Sequence, residues 1–158
     1  MNATAVLSML HESPERNSAT RVFRQDSVLS WTLDRLSRAK RLKHIAIICW
    51  EDQLPDVAPL ADEAGAFVLT KGPRTNIASI EAVAAAQRWA DGWRGGLLST
   101  CDFDLGFHGQ WTEEVAANLE SEAVVLIDPA SALVDPGLVD AAIERGIDNE
   151  SAELFFAP

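Results

Sequence analysis

The chain has 158 residues, a length that suits one domain with a core of its own. Its apolar fraction of 47% and charged fraction of 23% are those of a globular protein, and no apolar run approaches the roughly 18 residues of a membrane span. A formal charge of −11 excludes a general nucleic-acid binder, which needs a basic stripe to displace counterions, but leaves room for a nucleotide, which needs only a local basic loop. The N-terminus lacks the basic segment and long apolar core of a signal peptide. Cys49 and Cys101 lie in or beside apolar runs without metal-type spacing, so they read as reduced thiols, which points to the cytoplasm.

In chain order, residues 4–10 ("TAVLSML") predict a buried strand, followed by a polar loop, "HESPERNSATRVFRQD". Apolar residues at 28, 29, 33 and 36 predict a helix with Ser27 or Asp26 as its N-cap. "HIAIICW" is β-branched and apolar throughout, as a central parallel strand should be. A short helix closed by Gly65 follows, then the strand "AFVLT" and the turn "KGPRT". Residues 76–92 predict a helix capped by Asn76, and "GGLLSTCDFDLGFHG" is irregular. "QWTEEVAANLE" predicts an amphipathic helix, "AVVLI" a strand, "DPGLVDAAIERG" a helix with Pro136 near its start, and "SAELFFAP" a last strand. This alternation predicts an α/β fold, a three-layer α/β/α sandwich on a mostly parallel sheet.

Ligands bind such sheets outside the carboxyl ends of the strands, here the loops after Leu10, Trp50, Thr70 and Ile127. The first loop is the richest. Arg16, Arg21 and Arg24 offer bidentate donors for phosphate, and Ser13, Asn17 and Ser18 let backbone N–H groups turn toward an anion. A helix N-terminus near Ser27 would add its dipole. No Gly-Lys-Ser/Thr tail makes it a P-loop. His11 follows the first strand directly and could touch a ligand phosphate or base. Asp102 and Asp104 form an Asp-x-Asp pair able to share a cation, with His108 nearby. Asp128 ends a strand and could reach the same site; its plainer role is to brace the loop before Pro129. The five tryptophans read as core or interface residues.

The segment "AVLSMLHESPERNSATRVFRQDSVLSWTLDRLSRAKRLKHIAIICWED" resembles the opening of the nucleotidyltransferase-like glycosyltransferase-A fold. Within that fold it is most similar to the sugar-activating cytidylyltransferases of the spore-coat polysaccharide and 3-deoxy-manno-octulosonate types. "ATRVF" falls on the family's "PGKVL", which puts Arg21 where the family has its phosphate-binding Lys; Arg16 or Asn17 covers its loop Arg. "VVLIDPASALVDPGLVDAAIE" matches "VVRITGDCPLIDPELIDRVI" without a gap, which puts Ala130 where the family has its metal-binding Asp. Lys71 and Arg74 fall in the turn that borders the nucleobase.

The resemblance implies one nucleotidyltransferase-like domain over residues 1–158, expected to be the N-terminal part of a longer protein. It implies sugar-nucleotide chemistry in cell-surface polysaccharide metabolism, with a nucleotide or nucleotide-sugar as ligand. His11, Ser13, Arg16, Asn17, Ser18, Arg24, Lys71 and Arg74 would bind the nucleotide, and Arg21 and Asp128 would serve catalysis. Magnesium would be held by Asp128 or by the Asp102 and Asp104 pair, because a hard cation needs oxygen ligands. A homodimer is allowed; nucleic acid and membrane are not expected as partners. Ala130, Arg21 in place of Lys, and a loop without the family's glycine pair are degenerate motifs. They leave two rivals to cytidylyl transfer: a glycosyltransferase using Asp102 and Asp104, and a non-catalytic relative kept as a binding or assembly module.

Overall fold

A computed structural model of the chain describes residues 1–10, 19–74 and 109–148. The expected helix over 76–92, the Asp-x-Asp segment and the last strand lie outside the described residues. β1 (Ala3–Ser8), β4 (Leu42–Cys49), β5 (Phe67–Thr70) and β6 (Ala123–Ile127) form one sheet in the order β5-β4-β1-β6, with every pair parallel. The chain steps outward from β1 to β4 to β5, then returns to place β6 on the other side of β1. The order therefore reverses between β1 and β6, which is the switch point of the sheet.

Period-two alternation sends successive side chains to opposite faces, and both faces are covered. Ala5, Leu7, Ile45, Ile47 and Cys49 pack against α1 (Val28–Leu36), α2 (Leu54–Ala64) and α4 (Pro136–Asp148), through Leu29, Leu33, Leu36, Val57, Ala61, Val139 and Ile143. Val6, Leu10, Ala46, Ile48 and Trp50 pack on the other face against α3 (Gly109–Asn118), through Val115. The sandwich is thus three-layered, as the alternation of elements predicts.

One element is new. Residues within the expected polar loop form a hairpin of β2 (Val22–Phe23) and β3 (Asp26–Ser27), turned by Arg24 and Gln25. Arg24 has a φ of 64°, a left-handed value normally given to glycine or asparagine in such two-residue turns. Ser27 is the N-cap of α1, its hydroxyl accepting from Ser30 N at 3.0 Å. That helix ends at Leu36, the last residue of its apolar stripe, and the turn after it is tied to α4. The Asp140 carboxylate accepts from Lys40 N at 3.0 Å and Arg41 N at 2.8 Å, and Arg41 pairs with Glu144.

Two helices end in the same device. After α2, Ala66 N donates to Ala61 O at 2.8 Å and Gly65 takes φ 64°; after α3, Ser121 N donates to Ala116 O at 2.8 Å and Glu120 takes φ 50°. Both are Schellman closures, which need a left-handed residue. Gly65 fills that position without strain, whereas Glu120 carries a Cβ there. Gly65→Ala should accordingly cost about 1 kcal/mol, and Glu120→Gly should gain about 0.5–1 kcal/mol, read as opposite shifts of the urea midpoint. Shifts of the same sign would contradict this account.

Candidate functional site

The carboxyl ends of the strands are tied together by buried polar groups. Met9 N donates to Ile48 O at 2.8 Å, extending the β1–β4 pairing beyond the end of β1. Trp50, 1% exposed, donates its indole N–H to Leu10 O at 2.8 Å. A short 3-10 turn (Glu51–Gln53) then brings Gln53 back under the sheet end. Its Oε1 accepts from Trp50 N at 2.9 Å and its Nε2 donates to Met9 O at 2.9 Å. One amide side chain thus satisfies backbone groups at the exits of two neighbouring strands. The β4 and β5 exits are joined likewise by Lys71 N to Cys49 O at 3.0 Å and Glu51 N to Gly72 O at 2.9 Å.

At the switch point, β6 runs into Asp128-Pro129-Ala130-Ser131. Ser131 N donates to Asp128 O at 3.0 Å, and Ala130 N donates to Asp128 Oδ1 at 2.8 Å. This is a turn with Asp in its first position and Pro in its second, each favoured there on local grounds. Asp128 therefore performs the bracing role, with its carboxylate exposed and Oδ2 left without a partner among the described residues. Thr32 of α1 anchors the turn: its Oγ lies 3.0 Å from Pro129 O and 3.0 Å from Val28 O, and its single proton serves one carbonyl at a time. Ala130 brings no side-chain oxygen.

The N-terminus of α1 is closed by the chain itself. Val28 N donates to Arg21 O at 2.9 Å, Leu29 N to Ala19 O at 2.7 Å, and Ser30 N to Ser27 Oγ. The helix N-terminus near Ser27 keeps its dipole, while these first-turn N–H groups are already engaged by the chain. Arg21 enters the hairpin with its side chain exposed. Its carbonyl sits at Val28 and the Pro129 carbonyl at Thr32, one helical turn on, so α1 brings Arg21 and the Asp128 turn to the same end of the sheet. Arg24 lies over the Phe23 ring at 5.5 Å and, with Gln25, Asp26 and Trp31, lines a shallow open depression.

Lys71 and Arg74 stand apart from this point, beyond β5, two strands from β1. The Lys71 ammonium pairs with Glu114 and lies 5.6 Å from the centre of the Trp111 ring, which meets Trp50 edge-on at 5.9 Å. Arg74 Nε pairs with Asp52 Oδ2 at 3.0 Å. A nucleobase bordered by this turn would meet cations already paired. His11, Ser13, Arg16, Asn17, Ser18, Asp102 and Asp104 lie outside the described residues. Among the described residues no group of three ligating side chains could hold a metal ion.

Sequence reading misses three residues here: Gln53, Thr32 and Ser8. The Gln three positions after Trp50 has the spacing of a capping box, which is a usable signal. Thr32 gives none, since its partner is 97 residues away. Ser8 interrupts the apolar run of β1, and its Oγ is buried without a hydrogen-bond partner, as is Asn2 Oδ1 near the opposite end of the strand.

No protein-family model and no curated protein sequence matches the chain. Solved structures do. A cytidylyltransferase from Leptospira borgpetersenii serovar Hardjo-bovis aligns over 95% of this chain and 50% of its own, with a TM-score of 0.63 at 11% identity. A CMP:2-keto-3-deoxy-manno-octonic acid synthetase complexed with CTP aligns over 96% of this chain and 49% of its own, with 0.62 at 9%. A 4-diphosphocytidyl-2C-methyl-D-erythritol synthase from Anaerococcus prevotii aligns over 91% and 50%, with 0.56 at 15%. The chain spans about half the length of each. It has the cytidylyltransferase-like nucleotidyltransferase fold that its sequence motifs imply.

Two measurements test the local account. Gln53→Leu leaves Trp50 N–H and Met9 C=O buried without partners, so it should cost about 2–4 kcal/mol in urea unfolding. A cost below about 1 kcal/mol would show that the exits do not depend on it. Cys49, buried at the end of β4, has its thiol pushed up to about 11 from 9.0, first by desolvation, against a hydrogen bond with Thr70. The unfolded chain therefore loses this proton from about pH 9, while the folded chain holds it. Stability should fall by roughly 1–3 kcal/mol between pH 9 and 11, and Cys49→Ala should flatten that part of the profile relative to the parent.

Proposed function

We propose that the chain is a nucleotide-binding domain of the nucleotidyltransferase type, working in sugar-nucleotide and cell-surface polysaccharide metabolism in the cytoplasm. The observation that carries this reading is the reversal of strand order between β1 and β6, set in a fold shared with cytidylyltransferases over more than nine-tenths of the chain. In the active form of the reading, a sugar oxygen attacks the α-phosphate of a cytidine nucleotide and pyrophosphate leaves. Arg21, exposed at the foot of the hairpin before α1, would offer its charge to the phosphates; Arg16 and Arg24 of the same segment would share that role, with His11, Ser13, Asn17 and Ser18 as polar contacts. Lys71 and Arg74 would border the base only by exchanging their present partners.

Magnesium is implied by the resemblance, and the described residues do not fit it. They bring one carboxylate to the switch point, with Oδ1 already bonded to Ala130 N, and Ala130 supplies no ligand. A metal requirement would rest on Asp102 and Asp104 together with Asp128. The spent first-turn N–H groups of α1 and the paired Lys71 and Arg74 favour a second reading, a relative that binds nucleotide without transferring it.

Thermal unfolding with CTP, in magnesium and in EDTA, tests both. CTP at about one hundred times its dissociation constant should stabilise the protein by about 2.7 kcal/mol. Pyrophosphate release with a sugar acceptor separates transfer from binding alone. No stabilisation by CTP, UTP, ATP or GTP sinks the nucleotide reading, and stabilisation lost in EDTA and on Asp102→Ala moves the metal to the Asp-x-Asp pair.

A further inference from the structure

We propose that the β2–β3 hairpin and the outward side of α1 seat the protein on an anionic lipid surface, with Val22 and Phe23 entering the headgroup layer. The proposal goes beyond the nucleotide reading and does not depend on it. A surface contact of this kind needs no spanning helix. The hairpin turns its apolar side chains to solvent: Val22 is 67% exposed and Phe23 57%. Neighbours along a strand point to opposite faces, so exposure of both means that the hairpin projects clear of the domain on both sides. It joins no other strand among the described residues. Arg24 at its tip is held at φ 64°, a conformation that glycine takes without cost. An exposed turn that keeps an arginine there carries strain its fold does not require, and such strain gathers at binding surfaces.

Charge selects the partner. Residues 16–43 hold eight of the 13 Lys and Arg but two of the 24 Asp and Glu, so a chain of net −11 has one locally basic segment. Arg21 and Arg24 in the hairpin and Arg35 on α1 form no ion pair among the described residues. Arg24 lies over the Phe23 ring at 5.5 Å, the Trp31 indole donates to Phe23 O at 3.3 Å, and Arg35 follows Trp31 by one helical turn. Aromatic and cationic groups thus run in one strip from the hairpin onto α1. Tryptophan with its N–H satisfied and its ring part-exposed is suited to the boundary between lipid and water. Two apolar side chains alone adsorb weakly, and the cations supply the second signal, each worth about fivefold in affinity near an anionic leaflet. A second copy would bring the same cations face to face. A peptide finds no seat, because strands of two residues leave too short an edge to extend and the depression beside Trp31 is shallow and open.

The test measures partition of the 158-residue protein, without nucleotide, onto vesicles of phosphatidylcholine alone or with about one-third phosphatidylglycerol. Binding to the anionic vesicles should be at least about tenfold tighter than to the neutral ones in about 0.05 M NaCl, and within about twofold of them in about 0.5 M. Phe23→Ser and Val22→Ser, both at exposed positions, should each weaken anionic binding about three- to tenfold while melting in solution within about 2 °C of the parent. Arg35→Gln should weaken it about fivefold in low salt and leave it unchanged in high salt. No binding to anionic vesicles, equal binding to neutral ones in low salt, or binding unchanged in both serine variants overturns the proposal. Poly-L-glutamate is the control for an acidic partner: tighter binding to it than to the vesicles, weakened by the same two variants, overturns the lipid assignment in favour of an acidic polypeptide. With no nucleotide present, none of these results bears on the nucleotide reading.

Discussion

The exits of the two central strands, β1 and β4, hang on the amide of Gln53. Parallel strands are hydrogen-bonded along their length, but at their exits the last N–H and C=O groups face whatever follows. Here the chain buries them, and a buried backbone group without a partner is expensive. Gln53 meets Trp50 N–H and Met9 C=O with its two ends, while the Trp50 indole takes Leu10 C=O. The direction in which the chain leaves β1 is set by these three bonds. Nothing charged is used, so the clamp is insensitive to salt and to the pH range in which carboxylates titrate.

With the exits fixed, the architecture follows from the return of the chain to β6. Thr32 reaches from α1 to the Pro129 carbonyl, and Asp140 reaches from α4 to the turn before β4. These tertiary bonds join elements about a hundred residues apart in sequence. The first holds the Asp128 turn against α1, and the second ties α4 to the amino end of the sheet.

Much of this was legible in the residues. "AVVLI" is β6 to the residue because its apolar run is bounded by the Schellman closure before it and a pre-proline Asp after it. Ser27 as N-cap and Gly65 as closing residue were equally readable, since each rests on local backbone chemistry. The hairpin at Val22–Ser27 was not. Its turn is Arg24-Gln25, without the Asn-Gly or Asp-Gly signal, and its strands are two residues each. In the site, Asp128 announced its bracing role through the proline after it. The engagement of Lys71 and Arg74 was invisible, because their acidic partners lie 43 and 22 residues away and only folding brings them together. The closure of the α1 N-terminus was hidden for the same reason, although its donors and acceptors are less than a dozen residues apart: it depends on the hairpin.

That closure has an evolutionary consequence. A phosphate cradle made of main-chain N–H groups survives most point substitutions, because every residue but proline supplies the same donor. In this chain the first turn of α1 has given those donors to Ala19 and Arg21 carbonyls and to Ser27 Oγ. At the first turn of α1 a grip on an anion must then be written in side chains, and a side chain can be erased by one codon change while the backbone around it stands intact. The fold and any such grip therefore rest on different groups, the main chain for one and side chains for the other.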